Sequence, residues 1–220
     1  MKVTTTKLLT ALSLLTTTCL LPTRTGSAFE VVKNVNSGKP PVEKVVLFEK
    51  GKPSGHLHFV DSANCKMSFT QDGSIECKYS GSDAAAPTIL WKPGAGIPET
   101  FDANSYSIMI LTCRLEGNVK ETGPNGKVTE KRADNLWFGP QLLDAGDQRV
   151  GLANLSDVSE DGKTPSETTV LKIPMSLFTK LWATGKDTHH IKGIVFPWGK
   201  TRPNSNRDFR LVIEKIALAD

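Results

Sequence analysis

The chain has 220 residues, with 27 Lys and Arg against 23 Asp and Glu. The excess lies at the start: residues 1–28 hold Lys2, Lys7 and Arg24 and no acid, which leaves 24 basic and 23 acidic side chains beyond them. That balance lacks the electropositive footprint of a nucleic-acid binder, and one chain of this length is enough for a single core.

The first 28 residues read as a cleaved signal peptide. Lys2 and Lys7 form a positive n-region, Leu8 to Leu21 is uncharged and apolar to threonine-rich, and Gly26-Ser27-Ala28 supplies small residues before Phe29. The stretch is too short and too diluted by Thr16 to Thr18 for a spanning helix. The same threonines, just before Cys19, make a poor lipoprotein pattern. These features predict a secreted, periplasmic or extracellular protein, free of the membrane after cleavage and about 190 residues long.

Residues 29–44, polar and broken by Lys39-Pro40-Pro41, read as an N-terminal arm; residues 45–220 read as one domain. Short runs then alternate with turns rich in Gly, Pro, Asn and Asp. The predicted strands are 45–49, 56–61, 66–70, 74–79, 88–91, 105–116, 135–140, 148–155, 168–173, 191–196 and 208–219. Many short strands at this spacing predict an all-β sandwich or jelly roll. One short helix is expected after Pro174, with Met175, Phe178 and Trp182 at helical spacing and Gly185 ending it.

Cys65 and Cys77 flank Gln71-Asp72-Gly73-Ser74, and a hairpin centred near residue 71 would set them opposite each other. In an exported chain this predicts a disulfide that staples the hairpin. Their spacing does not suit a metal or redox pair. Cys113, of one parity with Met109, Leu111 and Leu115, reads as a buried thiol. Residues 105–116 are apolar on both parities in their middle, as expected of a strand covered on both faces. Glu214 shares a parity with Val212, Ile216 and Leu218, so it needs a partner: either a Lys or Arg, or a calcium ion.

Several segments in order carry a resemblance: Phe48-Glu49-x-Gly51, Asp72-Gly73-Ser74-Ile75 before Cys77, Phe101-Asp102 ahead of Tyr106 and a long apolar strand, Ile173-Pro174-Met175 before Phe178, residues 191–196, and the closing run from Asp208 to Leu218. This order resembles carbohydrate-binding modules of the galactose-binding-like β-jelly-roll superfamily, over residues 45–220. The resemblance implies a jelly-roll fold, a glycan ligand and a structural calcium held by acids near the first and last strands, where this chain has Glu49 and Glu214. The usual last-strand Asp-Asn or Asp-Asp is replaced here by Glu214-Lys215.

A sugar site needs an aromatic face and planar polar groups. Trp91 and Trp182 read as core. Trp137 lies on the parity opposite Leu136 and Phe138, with Gly139 and Gln141. A hairpin about residues 144–147 would set Trp137 opposite Ala153, Gly139 opposite Gly151 and Gln141 opposite Arg149, forming a trough with a Trp platform and two polar clamps. The same face could instead be core, since a one-residue slip turns a strand over. A second candidate is the loop 197–207, where Trp198 amid Lys200, Arg202 and Arg207 could bind an acidic sugar or a carboxylate-bearing polymer, and Trp198 and Arg202 could extend the site; the alternative there is a solvated loop with Trp198 folded back as a plug.

The leading expectation is a non-catalytic, glycan-binding domain using Trp137, Gln141, Arg149, Trp198 and Arg202. Two alternatives stand beside it: a secreted lyase or glycoside hydrolase on a β-sandwich, and an exported domain that binds a protein partner. His56 and His58 share a parity and His189-His190 are adjacent, but neither pair belongs to an HExxH motif, and no GxSxG elbow is present. Asn154-Leu155-Ser156 forms a glycosylation sequon if the source is eukaryotic.

Overall fold

The computed structural model describes residues 41–93, 97–132, 138–179, 185–199 and 206–220. Two long strands organise the fold: β6 (Ile108–Thr122) and β12 (Asn206–Ala219) pair antiparallel from Ile108↔Ala219 to Lys120↔Asn206. At one end β12 also pairs with β1 (Glu43–Glu49) and β6 with β10 (Thr169–Pro174). At the other end β12 pairs with β4 (Ile75–Gly81), which carries β3 (Cys65–Phe69), while β6 folds back on β7 (Val128–Arg132). These seven strands form the larger sheet. The smaller has five, in the order β2 (Leu57–Val60), β5 (Thr88–Trp91), β11 (Ile191–Val195), β8 (Gln141–Asp144) and β9 (Arg149–Val150).

The core lies between the sheets, as alternation requires. Leu111, Cys113 and Leu115 of β6, Leu211 and Ile213 of β12, and Cys77 and Tyr79 of β4 meet Ile89, Leu142 and Ile194 of the smaller sheet. The other parity of β6 is also buried: Ile108 and Ile110 join Ala217 and Ala219 in a small cluster on the outer face of the larger sheet. The all-β sandwich follows the sequence expectation. Among the described residues two short α-helices are present, α1 (Leu155–Val158) and α2 (Ser176–Thr179). α2 follows Pro174 as expected, whereas α1, which begins at Leu155 where the expected strand 148–155 ends, was not expected. Trp182 lies outside the described residues.

The expected bridge between Cys65 and Cys77 is not formed; both are buried free thiols. The register sets Cys65 opposite Tyr79 and Cys77 opposite Met67. The reason is the turn. Gly73 N–H donates to the Thr70 carbonyl at 2.9 Å and Thr70 N–H to the Ser74 carbonyl at 2.8 Å, so the loop is Gln71-Asp72-Gly73, with Gly73 at φ 81°. A three-residue loop ending in a left-handed residue moves the centre to residue 72 and leaves the cysteines diagonal. Burial pushes the Cys65 thiol up to about 12, with the nearby Asp61 charge adding to it. Burial likewise puts Cys113 at about 12. These are protonated, unreactive thiols at neutral pH.

Candidate functional site

The β6–β7 hairpin runs past the body of the larger sheet and overhangs one end of the sandwich. Its turn, Gly123-Pro124-Asn125-Gly126, closes with Gly123 N–H donating to the Lys127 carbonyl at 2.8 Å. Beneath the overhang lies a groove of about 940 Å³, walled on one side by Glu121, Thr122 and Thr129 and on the other by residues 84–86 and 197–199. That volume lies within the range of small-molecule and oligosaccharide sites, roughly 300–1,000 Å³. Gln141, Arg149 and Trp198 all line this groove. Trp137 and Arg202 fall outside the described residues.

Trp198 is half-buried at the edge of an aromatic stack. Its ring centroid lies 5.8 Å from Phe138 and 5.3 Å from Phe209, and Phe209 stacks on Tyr79 at 4.5 Å. Its backbone bridges to Ala85 in both directions, at 2.7 and 2.9 Å. Packing and backbone bonds thus hold the indole in place while it still lines the groove, so it serves as both plug and wall.

Gln141 and Arg149 share the outer face of the smaller sheet, but not in the expected pairing. Arg149 is opposite Leu143, and Leu142 opposite Val150. Gln141 comes level with Gly151 and its Nε2 donates to the Gly151 carbonyl at 2.9 Å. The cause repeats that of the cysteine hairpin. Asp147 N–H donates to the Asp144 carbonyl at 3.1 Å and Asp144 N–H to the Gln148 carbonyl at 3.0 Å; Asp147 stands at φ 63°. The loop is Ala145-Gly146-Asp147, so the strands turn one residue later than a symmetric reading predicts. The shift is two residues in register, which keeps each side chain on its face. The bond to Gly151 fixes the Gln141 amide and leaves its oxygen without a partner among the described residues. Arg149 is exposed and makes no ion pair among the described residues.

The groove's back wall is set by close backbone approach. Phe138 N–H donates to Asn154 Oδ1 at 2.9 Å. Leu155 N–H donates to the Phe138 carbonyl at 2.8 Å. A Cβ on Gly139 would stand 1.7 Å from the Ala153 carbonyl oxygen, so only glycine fits there. Asn154 is buried and its amide also donates to Ser156 Oγ at 2.7 Å; the sequon asparagine is a structural bracket with no free amide to modify in the fold.

The acids expected to hold calcium each face side-chain cations in this structure. Glu214 sits at a bulge of β12, where the register to β6 shifts. Its Oε1 accepts from Arg114 Nη1 at 3.0 Å and from Thr168 at 3.2 Å, and Lys50 Nζ lies 3.6 Å away. Glu49 is opposite Lys215, whose Nζ is 3.7 Å from it and 2.8 Å from Glu43. Each carboxylate already faces a cation, and the described residues contain no group of three His, Cys, Asp or Glu arranged to hold a metal. Of the two readings open for Glu214, the geometry matches the salt bridge.

The histidines lie apart from the groove's lining. His56 Nε2–H donates to the Leu47 carbonyl at 2.8 Å. His189 pairs with Asp102 at 3.1 Å and His190 with Asp187 at 2.8 Å.

The β6–β7 overhang was not anticipated from the sequence. Every residue of β7 is exposed, so no apolar alternation marks it. The signal present was Asn125-Gly126 between two threonine-bearing runs, a strong short-range hairpin mark.

No protein-family model matches the chain, and no curated protein matches it. Among solved structures it is similar to a family 29 carbohydrate-binding module complexed with mannohexaose, at 12% identity and TM-score 0.45, over 82% of this chain and 93% of that one. It is similar to the module CtCBM11 at 13% identity and TM-score 0.43, over 83% of this chain and 97% of that one. It is also similar to a β-1,2-glucanase from Parabacteroides distasonis at 15% identity and TM-score 0.49, over 81% of this chain and 25% of that longer protein. Carbohydrate-binding modules, which the order of sequence segments resembles, are thus among the structures this chain is similar to.

Proposed function

We propose that this is an exported glycan-binding domain and that the end groove is its binding site. One observation carries the reading: a tryptophan braced by Phe138 and Phe209 lines a groove that also presents the Gln141 amide and the Arg149 guanidinium. A braced aromatic face offers C–H contact to a pyranose without ordering cost, and planar polar groups match ring hydroxyls. Trp137 and Arg202 belong to the proposed site by their place in sequence, next to Phe138 and beyond Trp198.

Binding without hydrolysis is the form the groove supports. Hydrolysis of a glycosidic bond generally needs two carboxyl groups about 5–9.5 Å apart. Among the described lining residues Glu121 is the one acid, and its carboxylate is paired with Lys131 at 2.9 Å.

The test is retention of the purified protein on insoluble polysaccharides and a glycan array, with product release followed in the same tubes. Trp198→Ala should abolish retention and lower the melting temperature, since the indole packs on Phe138 and Phe209, while Trp198→Phe should keep part of the retention at near-native melting temperature. Released products would move the reading to an enzyme. Indifference to every glycan, with capture of a protein partner, would move it to an interaction domain. The N-terminal residue of the exported protein, expected to be Phe29, tests the leader.

A further inference from the structure

Resting on that reading, the charges about the groove specify which glycans it takes. Arg149 stands on the groove with no ion pair among the described residues, and the groove's acid, Glu121, is neutralised by Lys131. A second cation is buried near the start of β12. Arg207 is 1% exposed, and its Nε donates to the Gly81 carbonyl at 3.0 Å, but Nη1 and Nη2 are buried with no hydrogen-bond partner among the described residues.

Its position follows from the ladder. Arg207 is paired with Gly81 of β4 and Val119 of β6. Two residues along β6 on the same face is Glu121, which lines the groove. Two residues along β12 is Phe209, whose ring meets Trp198. Beyond Gly81 the chain leads to the groove wall at residues 84–86. The side chain therefore lies on the inner face of the larger sheet, at the same end of the sandwich as the groove.

A guanidinium does not shed its proton in a protein, and a buried charge lacking a full counter-charge is a costly arrangement that chains keep only where something offsets it. The exposed Asp83 carboxylate acts on Arg207 electrostatically, yet both terminal nitrogens lack a hydrogen-bond partner among the described residues. In a medium of low dielectric such a charge acts over a longer range than one at the surface.

We infer that the groove selects glycans bearing a ring carboxylate, that is, uronic-acid polymers, with Arg149 pairing the carboxylate directly and the buried Arg207 adding to the positive potential at that end of the sandwich. Arg149 meets the carboxylate through two parallel N–H donors, a geometry that a neutral ester cannot reproduce.

The experiment is calorimetric titration of the full-length purified protein with hexagalacturonate, its fully methyl-esterified form, hexamers of mannuronate and of hyaluronan, a sulfated neutral glycan, and mannohexaose. A uronate hexamer should bind at least tenfold tighter than every uncharged one, hexagalacturonate above its own ester if that backbone fits, and the margin should shrink as salt rises. Arg149→Gln, at an exposed position that leaves the melting temperature unchanged, should bring the acid down to the level of uncharged ligands. Arg149→Lys should restore only part of the margin. Equal binding of uronate and uncharged hexamers, tighter binding of the sulfated glycan, or a margin that survives Arg149→Gln would each overturn the inference while leaving glycan binding standing. No binding to any of these ligands, nor to the wider glycan array, would overturn both.

Discussion

The outer face of the larger sheet and the end groove treat charge in opposite ways. Across the sheet runs an unbroken alternation: Asp72 with Lys50 at 2.6 Å, Lys50 with Glu214 at 3.6 Å, Glu214 with Arg114 at 3.0 Å, Arg114 with Glu116 at 2.6 Å, and Arg210 bonded to Glu116 at 2.6 Å and Glu76 at 2.8 Å. Every cation in it has an anion on each side. At the groove, Arg149 has no ion pair among the described residues. A network that satisfies itself holds strands in register and has little left to offer a ligand; cations left open are what a ligand can use.

The comparison breaks if substitutions in the two regions behave alike. The largest effect is steric and sits at the groove's back wall. Gly139→Val should cost about 3 kcal/mol or unfold the domain, because its Cβ meets the Ala153 carbonyl; chemical denaturation measures this. Next, Arg114→Ala should lower stability by about 1–2 kcal/mol, since it strips partners from Glu214 and Glu116, and leave glycan retention unchanged. Arg149→Gln should do the reverse. Arg207→Met should be neutral or stabilising by about 0–2 kcal/mol, because it removes a buried cation whose tip is unbonded; a loss of several kcal/mol would reveal a hidden partner.

Acid sharpens the contrast further. The hydrogen bond from Lys50, then those from Thr70 and Ser74, hold the Asp72 carboxyl well below its usual range. For Glu116, burial works upward, but bonds from Arg114 and Arg210 outweigh it and the net shift is down. Depressed carboxyls stabilise the fold above their unfolded values near pH 4, and that contribution is lost as pH falls through the folded ones. Melting temperature should therefore drop below about pH 4, less steeply in high salt. The smallest effect concerns metal: chelator should shift the melting temperature by no more than about 1 °C, given the cations already on Glu49 and Glu214.

Much of the sandwich was legible because β4, β6, β11 and β12 are written in apolar alternation or in two-sided apolar runs. The faces of Gln141 and Arg149 were legible for the same reason. What escaped was local. Two hairpins, about Asp72 and about Gly146, each turn one residue later than symmetry suggests, because the third loop residue takes a left-handed backbone; in one it is Gly73, in the other Asp147, which carries no obvious mark. That one-residue difference separates Cys65 from Cys77 and moves Gln141 from Arg149 to Gly151. The overhanging β7 has no buried side chain to announce it. Arg207 looks in sequence like one more surface cation near a loop, and only the ladder shows that its parity points inward.

The pairing of β1 with β12 has a kinetic consequence. Near its middle β12 adjoins β6, β1 and β4, yet it is the last strand in chain order. No fragment that stops short of residue 206 contains the central strand of the larger sheet, so synthesis must run through nearly the whole domain before that sheet can assemble. Folding waits on contacts between distant parts of the chain, which makes it slow. During that interval the larger sheet lacks its centre and the polypeptide stays unfolded.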